Sequence, residues 1–351
     1  MLASQIEGLK INDEITQIEL LSGYPGDDSK EVIDFKWYRS RYKSVMYLPA
    51  LFFKMLWIRL VNCPDIVHIH QPLIGFFARL AFIGVPSVYH FHSFWYDEKV
   101  SHSDGSRSNK LLCRLKGYIE KSVLNSMKKF IVLSEFSKNK LQNVVKNTSI
   151  DIIPGCLDLN NWPLLPMSNN DGVFSFISVR RLDPRMGLDI LLEGFAEFTK
   201  QIPCRLTIVG TGREEKKLHL LSSQLGLEKS VAFKGRLTDA ELKEELSRHH
   251  CMVIPTKSIE GFGMTVIEAF ATGLPILATK SGALVEFCKY AEVFYAVEEA
   301  EPKMIEDGLK WAVQNFSDRA VLRKKCRNVA SFFDMHEISR QYMGIYKELK
   351  C

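Results

Sequence analysis

The segment Glu260-Gly-Phe-Gly-Met-Thr-Val-Ile-Glu268, continuing as Ala-Phe-Ala-Thr-Gly-Leu-Pro275, places two carboxylates around a glycine turn that opens a helix. The run Cys251-Met-Val-Ile-Pro255 before it reads as a short buried strand, residues 255–263 as a loop, and Met264 to Thr272 as a helix stopped by Gly273. The first amides of such a helix lack acceptors within it and sit at its positive dipole end, so they face the oxygens of a ligand. Gly261 and Gly263 let the backbone come close to that ligand. Glu260 precedes the helix and Glu268 lies about one turn into it, which sets one carboxylate for a sugar ring and the other for ribose hydroxyls. The arrangement suits a nucleotide-sugar. A solvated acidic helix start is the plainer alternative for either glutamate taken alone.

Around these residues the pattern Pro255-Thr256 … Glu260-Gly-Phe-Gly … Glu268-Ala-Phe-Ala-Thr-Gly-Leu-Pro275 resembles the retaining glycosyltransferases of family 4. Three further segments follow in the order that family shows. They are Ile177-Ser-Val-Arg-Arg181-Leu-Asp-Pro-Arg185-Met-Gly187, Leu206-Thr-Ile-Val-Gly210-Thr-Gly212 and Val231-Ala-Phe-Lys-Gly235-Arg. The resemblance implies the GT-B fold, an α/β architecture of two doubly wound Rossmann-like domains with a cleft between them. It also implies transfer of a hexose-type sugar from a nucleotide-sugar donor to a hydroxyl of a glycan or lipid-linked acceptor, with retention.

Residue roles follow from the same resemblance. Glu260 would position the sugar with the backbone amides of Phe262, Gly263 and Met264, while Gly210, Gly212, Gly261, Thr265 and Glu268 would belong to the donor site. Arg181 fits the growing negative charge on the departing phosphates. Met186 stands where the family usually has lysine, and Arg185 beside it is expected to take over that contact, since a guanidinium binds phosphate in a bidentate way. Tyr89-His90-Phe-His92-Ser-Phe-Trp95 resembles the family's strand-end histidine, which puts His92 near the sugar and the reacting phosphate. His90 and the alternating pair His68 and His70 read instead as packed or surface histidines. Ser134 reads as a helix N-cap.

No Asp-x-Asp pair occurs, and no cluster has convincing metal-ligand spacing, so no metal and no cofactor is expected. Cations of the protein would replace a metal at the phosphates.

The elements that must carry these residues alternate between strand and helix, which argues for parallel sheets covered on both faces. In the first half Ile15 to Leu21, Ile66 to His70, Ser87 to His92, Lys129 to Leu133 and Ile150 to Ile153 read as strands. The boundaries expected are an acceptor-side domain over 1–162, a linker over 163–172, a nucleotide-sugar domain over 173–332, and a final helix over 333–351. By resemblance that helix packs back on the first domain. The opening Met-Leu-Ala-Ser-Gln-Ile-Glu-Gly reads as a helix, so the family's first strand and its glycine-rich turn are expected to be missing, with Ile15 to Leu21 as the second strand.

The chain of 351 residues is long enough to bury a core without staples, and its eight scattered cysteines suggest a reducing, cytoplasmic setting. No signal peptide is visible. The greasy stretch from Tyr47 to Val61 is broken by Lys54 and Arg59 and falls short of the roughly 20 residues of a spanning helix. Between Phe35 and Pro64 six cations interleave with aromatics and no acid, which reads as a surface for anionic lipid at the inner face of the plasma membrane, or else as an ordinary packed helix. Nucleic acid is not an expected partner, because no recognised motif accompanies the charge. The rival readings are an impaired or non-catalytic nucleotide-sugar-binding protein, an epimerase or phosphorylase of the same architecture, and a membrane-surface module.

Overall fold

The computed structural model describes residues 5, 9, 21–22, 38–39, 47–94, 107–146, 148–166 and 172–350. The chain divides into two compact units, one built on Pro154–Ile338 and the other on Ile6–Ile153 with Ser339–Cys351. Every strand pairing named below is parallel. The expected absence of a first strand, and most of Ile15 to Leu21, lie outside the described residues. So does Trp95.

In the N-terminal unit two short strands, β1 (Leu21–Ser22) and β2 (Tyr38–Arg39), pair with each other. The main sheet has the order β3 (Val67–Ile69), β4 (Ser87–Phe91), β5 (Lys129–Val132) and β6 (Ser149–Ile152). β5 is buried along its whole length, as a strand covered by helices on both faces should be. The Tyr47–Val61 helix turns Leu48, Leu51, Met55 and Ile58 inward, the three-and-four spacing of a core stripe, and Met55 joins Val123, Leu124 and Phe130 in one apolar cluster. Ser134 caps the Glu135–Gln142 helix by accepting from the Ser137 amide at 3.1 Å. The end of the Met335–Lys350 helix belongs to this unit, where Glu348 meets Lys129 at 2.7 Å and Lys350 meets Asp65 at 3.2 Å.

The C-terminal unit holds a six-stranded sheet made of β7 (Phe174–Val179), β8 (Cys204–Val209), β9 (Val231–Gly235), β10 (Cys251–Ile254), β11 (Ile276–Thr279) and β12 (Phe294–Val297). Its order is β12-β11-β10-β7-β8-β9. The chain lays down β7, β8 and β9 in one direction, then returns to the other side of β7 for β10. That reversal is the switch point at which doubly wound sheets bind ligands, outside the carboxyl ends of the two central strands. The Leu188–Thr199 helix covers this sheet with Leu191, Leu192, Phe195 and Phe198, all fully buried, and Phe195 and Phe198 pack on Phe176 of β7. Part of the stretch expected to be a linker is pinned to the unit: Arg323 donates to the Leu165 carbonyl at 2.5 Å and Arg327 to the Leu159 and Ala271 carbonyls at 2.8 Å each.

Candidate active site

The loops leaving β7 and β10 flank the switch point, and each delivers one charged side chain to it. Ser178 and Arg180, two residues apart, both turn toward β10: the Ser178 hydroxyl donates to the Val253 carbonyl at 2.8 Å, and Arg180 Nη2 donates to Thr256 Oγ1 at 2.5 Å. The same Nη2 makes an ion pair with Glu260 Oε2 at 2.5 Å, with 6% of the arginine side chain and 20% of the glutamate side chain accessible. Glu260 Oε1 has no protein partner among the described residues. The carboxylate is thus oriented from one side and left with an acceptor on the other.

Backbone geometry fixes that loop. Ile259 carries φ 44°, a left-handed conformation that costs a β-branched residue on the order of 1–3 kcal/mol. Its carbonyl accepts from Arg185 Nη1 at 3.3 Å, and the Lys257 amide donates to the Arg185 carbonyl at 2.9 Å. Beyond Glu260, whose carbonyl accepts from the Ala283 amide at 2.9 Å, the chain passes Gly263 at φ 99° and enters the Met264–Thr272 helix. Only glycine adopts that φ without strain, and the turn aims the helix start at the loop. Phe262 is buried against Phe287 and Phe333, so its ring anchors the turn. The amides of Phe262, Gly263 and Met264 donate to no protein acceptor among the described residues.

Two polar groups on the helix are likewise left open. Thr265 Oγ1 is buried and has no hydrogen-bond partner. Glu268 is half-buried, no hydrogen bond reaches its carboxylate among the described residues, and burial, with a smaller push from Asp239, raises its pKa from 4.5 to about 7. The β8 loop closes the third side of the site. A Cβ on Gly210 would sit 1.9 Å from the Arg180 carbonyl, and one on Gly212 would sit 2.3 Å from the Leu182 carbonyl, so both glycines serve loop-on-loop packing. Arg181 is exposed, and its guanidinium has no protein partner among the described residues. Met186 is buried and turned away from solvent.

A nucleotide-sugar offers hydroxyls to oriented carboxylates and phosphates to cations and helix amides, and this set of groups answers both. Residues 17–161 match the family described as Glycosyltransferase Family 4, and residues 167–329 match Glycosyl transferases group 1. The chain belongs to the family 4 glycosyltransferases. It is 26% identical over 247 residues to an uncharacterized glycosyltransferase of Methanocaldococcus jannaschii, a match spanning 70% of this chain and 67% of that one. Among solved structures, sucrose-phosphate synthase from Thermosynechococcus elongatus is similar at a TM-score of 0.74 and 20% identity, covering 94% of this chain and 88% of its own. Anabaena HepE in complex with UDP is similar at 0.71 and 20%, covering 85% and 82%. At that identity the likeness is one of fold, and the fold of this glycosyltransferase is GT-B.

The N-terminal unit of the glycosyltransferase holds a second group of polar side chains at strand ends. His68 and His70 on and after β3, and His90 and His92 on and after β4, alternate along their strands and so fall on one face. Their rings stack with centroids 4.4 to 5.6 Å apart. His90 is fully buried, and burial lowers the pKa of His68 to about 3 and holds His70 and His90 well below the usual histidine range, so all three are neutral. His68 Nε2 and His90 Nε2 are buried without a partner, each at a cost of roughly 1–3 kcal/mol if left so.

Sequence reasoning missed Arg180, Thr256 and the grouping of the four histidines, of which it singled out His92 alone. A signal for Arg180 was present: Ser178 and Arg180 share one side of a strand whose earlier residues on that side, Phe174 and Phe176, are apolar, the mark of a strand end turning toward a polar site. The histidines carried a weaker sign, two His-x-His pairs at the ends of successive strands.

Proposed function

We propose that this glycosyltransferase moves a hexose-type sugar from a nucleotide-sugar to a hydroxyl of a glycan or lipid-linked acceptor, with retention of the anomeric configuration, in the synthesis of a cell-surface polysaccharide or glycolipid. The observation that carries the reading is the Arg180–Glu260 pair at the switch point, beside the open Thr265 hydroxyl and Glu268 carboxylate. Glu260 binds the sugar through Oε1 while Arg180 holds Oε2. The amides of Phe262, Gly263 and Met264 take up oxygens of the donor, and Glu268 accepts from the ribose. Arg181 and Arg185 neutralise the diphosphate as it leaves, so protein cations supply at the phosphates what a metal supplies elsewhere. Arg185 reaches this role by letting go of the Ile259 carbonyl. His92 is assigned a hydrogen bond to the sugar or a phosphate oxygen. The UDP in the HepE complex makes uridine diphosphate sugars the first donors to test.

The Tyr47–Val61 helix supports a lipid-linked acceptor. Phe53, Trp57 and Leu60 form a second apolar stripe that is 67%, 49% and 84% exposed, and Lys54 lies 3.6 Å over the Trp57 ring. Cations beside exposed aromatics are the features of a surface that rests at lipid headgroups. No helix among the described residues is long and apolar enough to cross a membrane; the contact proposed here is peripheral, on the cytoplasmic side. The remaining residues between 35 and 46 of that basic stretch lie outside the described ones, save the backbone of Tyr38 and Arg39.

The test is transfer from a panel of nucleotide-sugars to polyprenyl-linked and free glycan acceptors, with the product's anomeric configuration read by proton magnetic resonance. Retained product from the parent and at least hundredfold slower transfer by Glu260→Gln are expected. Inverted product, donor hydrolysis only, or full transfer by the variant contradicts the reading.

A further inference from the structure

We propose that His68, His70 and His90 form a binding site for one divalent transition-metal ion of the zinc class. One ring nitrogen from each lies within 4.8 Å of the others. The opposite side of each ring is held by a neighbour: His68 Nδ1 bonds the Tyr346 hydroxyl at 2.8 Å, His70 Nδ1 bonds His92 Nε2 at 3.1 Å, and His90 Nδ1 meets the Tyr342 hydroxyl at 3.4 Å. That is how metal-binding imidazoles are oriented, with a second partner on the far nitrogen fixing the tautomer. It leaves Nε2 of each ring as the ligating atom, and two of these, on His68 and His90, are the buried nitrogens that no protein group satisfies. When Nδ1–H of His68 donates to the tyrosine oxygen, the lone pair on Nε2 is free for the ion.

The donor set selects the ion. No carboxylate or thiolate joins the three imidazoles among the described residues, and an all-nitrogen set suits zinc, copper or nickel rather than magnesium or calcium. Zn–N bonds of about 2.0–2.1 Å require nitrogens about 3.3 Å apart in a tetrahedral site. Because the three rings lie stacked at interplanar angles of 11–27°, binding requires them to turn out of the stack about χ2, a torsion with a broad minimum, until their in-plane lone pairs converge, with the tyrosine hydroxyls following the far nitrogens. Three protein ligands leave a fourth position for water. The ion would clamp β3 to β4 and, through His70, fix the ring of His92. This inference does not depend on the proposed sugar transfer.

The test uses the intact chain without a histidine tag, stripped by chelator and dialysed against micromolar Zn2+, with bound metal measured by mass spectrometry and Co2+ substitution read by visible absorption. Expected are about one ion per chain and the strong visible bands of tetrahedral Co2+. His68→Gln and His70→Gln, shown folded by circular dichroism, should lose at least about tenfold in affinity, Tyr346→Phe less, and His219→Gln nothing. No uptake by the parent overturns the proposal in favour of a ladder of neutral imidazoles bridged by water. Undiminished uptake by the histidine variants overturns it in favour of an adventitious ion. Should a variant fail to fold, stoichiometry and the Co2+ spectrum of the parent decide alone.

Discussion

Both units gather polar side chains at the carboxyl ends of parallel strands, yet they manage buried polarity in opposite ways. In the C-terminal unit charge is kept and paired: Arg180 holds Glu260 at 2.5 Å. At the β3 and β4 ends of the N-terminal unit charge is suppressed, and burial leaves stacked neutral imidazoles with two nitrogens unsatisfied. A site that must handle a diphosphate needs fixed cations and oriented carboxylates before the ligand arrives. A site that donates lone pairs needs its imidazoles neutral.

Removing one member of the paired site should have the largest effect. Arg180→Met leaves Glu260 partly buried without its cation, and chemical denaturation should show a loss of about 3–5 kcal/mol in stability. Adding Glu260→Leu to Arg180→Met should recover most of it, because a buried pair is often replaceable by apolar groups. If Arg180→Met alone costs nothing measurable, the pair is not a structural contact and the contrast between the units fails.

A smaller effect concerns Glu268, whose carboxyl has no hydrogen-bond partner among the described residues. Its folded pKa of about 7 lies above the ordinary 4.5, so the folded state holds the proton more tightly than the unfolded state between those values. The carboxyl's contribution is therefore fully present below about pH 4.5 and is lost as pH rises through 7, by at most about 3 kcal/mol. Glu268→Gln carries no such slope. In melts without donor it should match the parent near pH 5 and exceed it at pH 8, and equal behaviour at both would remove Glu268 from the desolvated site.

The C-terminal site was legible because most of it is contiguous. Glu260 through Glu268 is a loop and one helix start, and the turn residues Gly263 and Gly273 mark both ends of the Met264–Thr272 helix, which runs as expected. Strand-end Arg180 escaped notice because Arg181 next to it offered the same chemistry, and only burial tells them apart. The histidine group was not legible as a site. His68 and His70 are separated by a helix from His90, and the tyrosines that orient them come from the far end of the chain, so only the fold brings the five side chains together. The sequence of the aromatic stretch suits either an interface or a core, and the structure divides it: Met55 and Ile58 face inward, Phe53 and Trp57 outward.

That division supplies the smallest of the expected effects. Phe53→Ser or Trp57→Ser should weaken sedimentation with vesicles rich in anionic lipid by about 1.5 kcal/mol each, roughly tenfold, while leaving the fold intact. Equal sedimentation by parent and variants would assign the stripe to another use.

The central claim is that Glu260 and Glu268 divide the donor between them, one at the sugar and one at the nucleotide. Calorimetric titration of the intact chain and its two variants with a uridine diphosphate sugar, then with guanosine and adenosine counterparts, tests it most directly. Glu268→Ala should weaken donor binding about tenfold or more, and Glu260→Gln should bind within a few-fold of the parent while losing transfer. Donor binding by both variants at parental affinity, or no binding of any donor by the folded parent, would contradict the account.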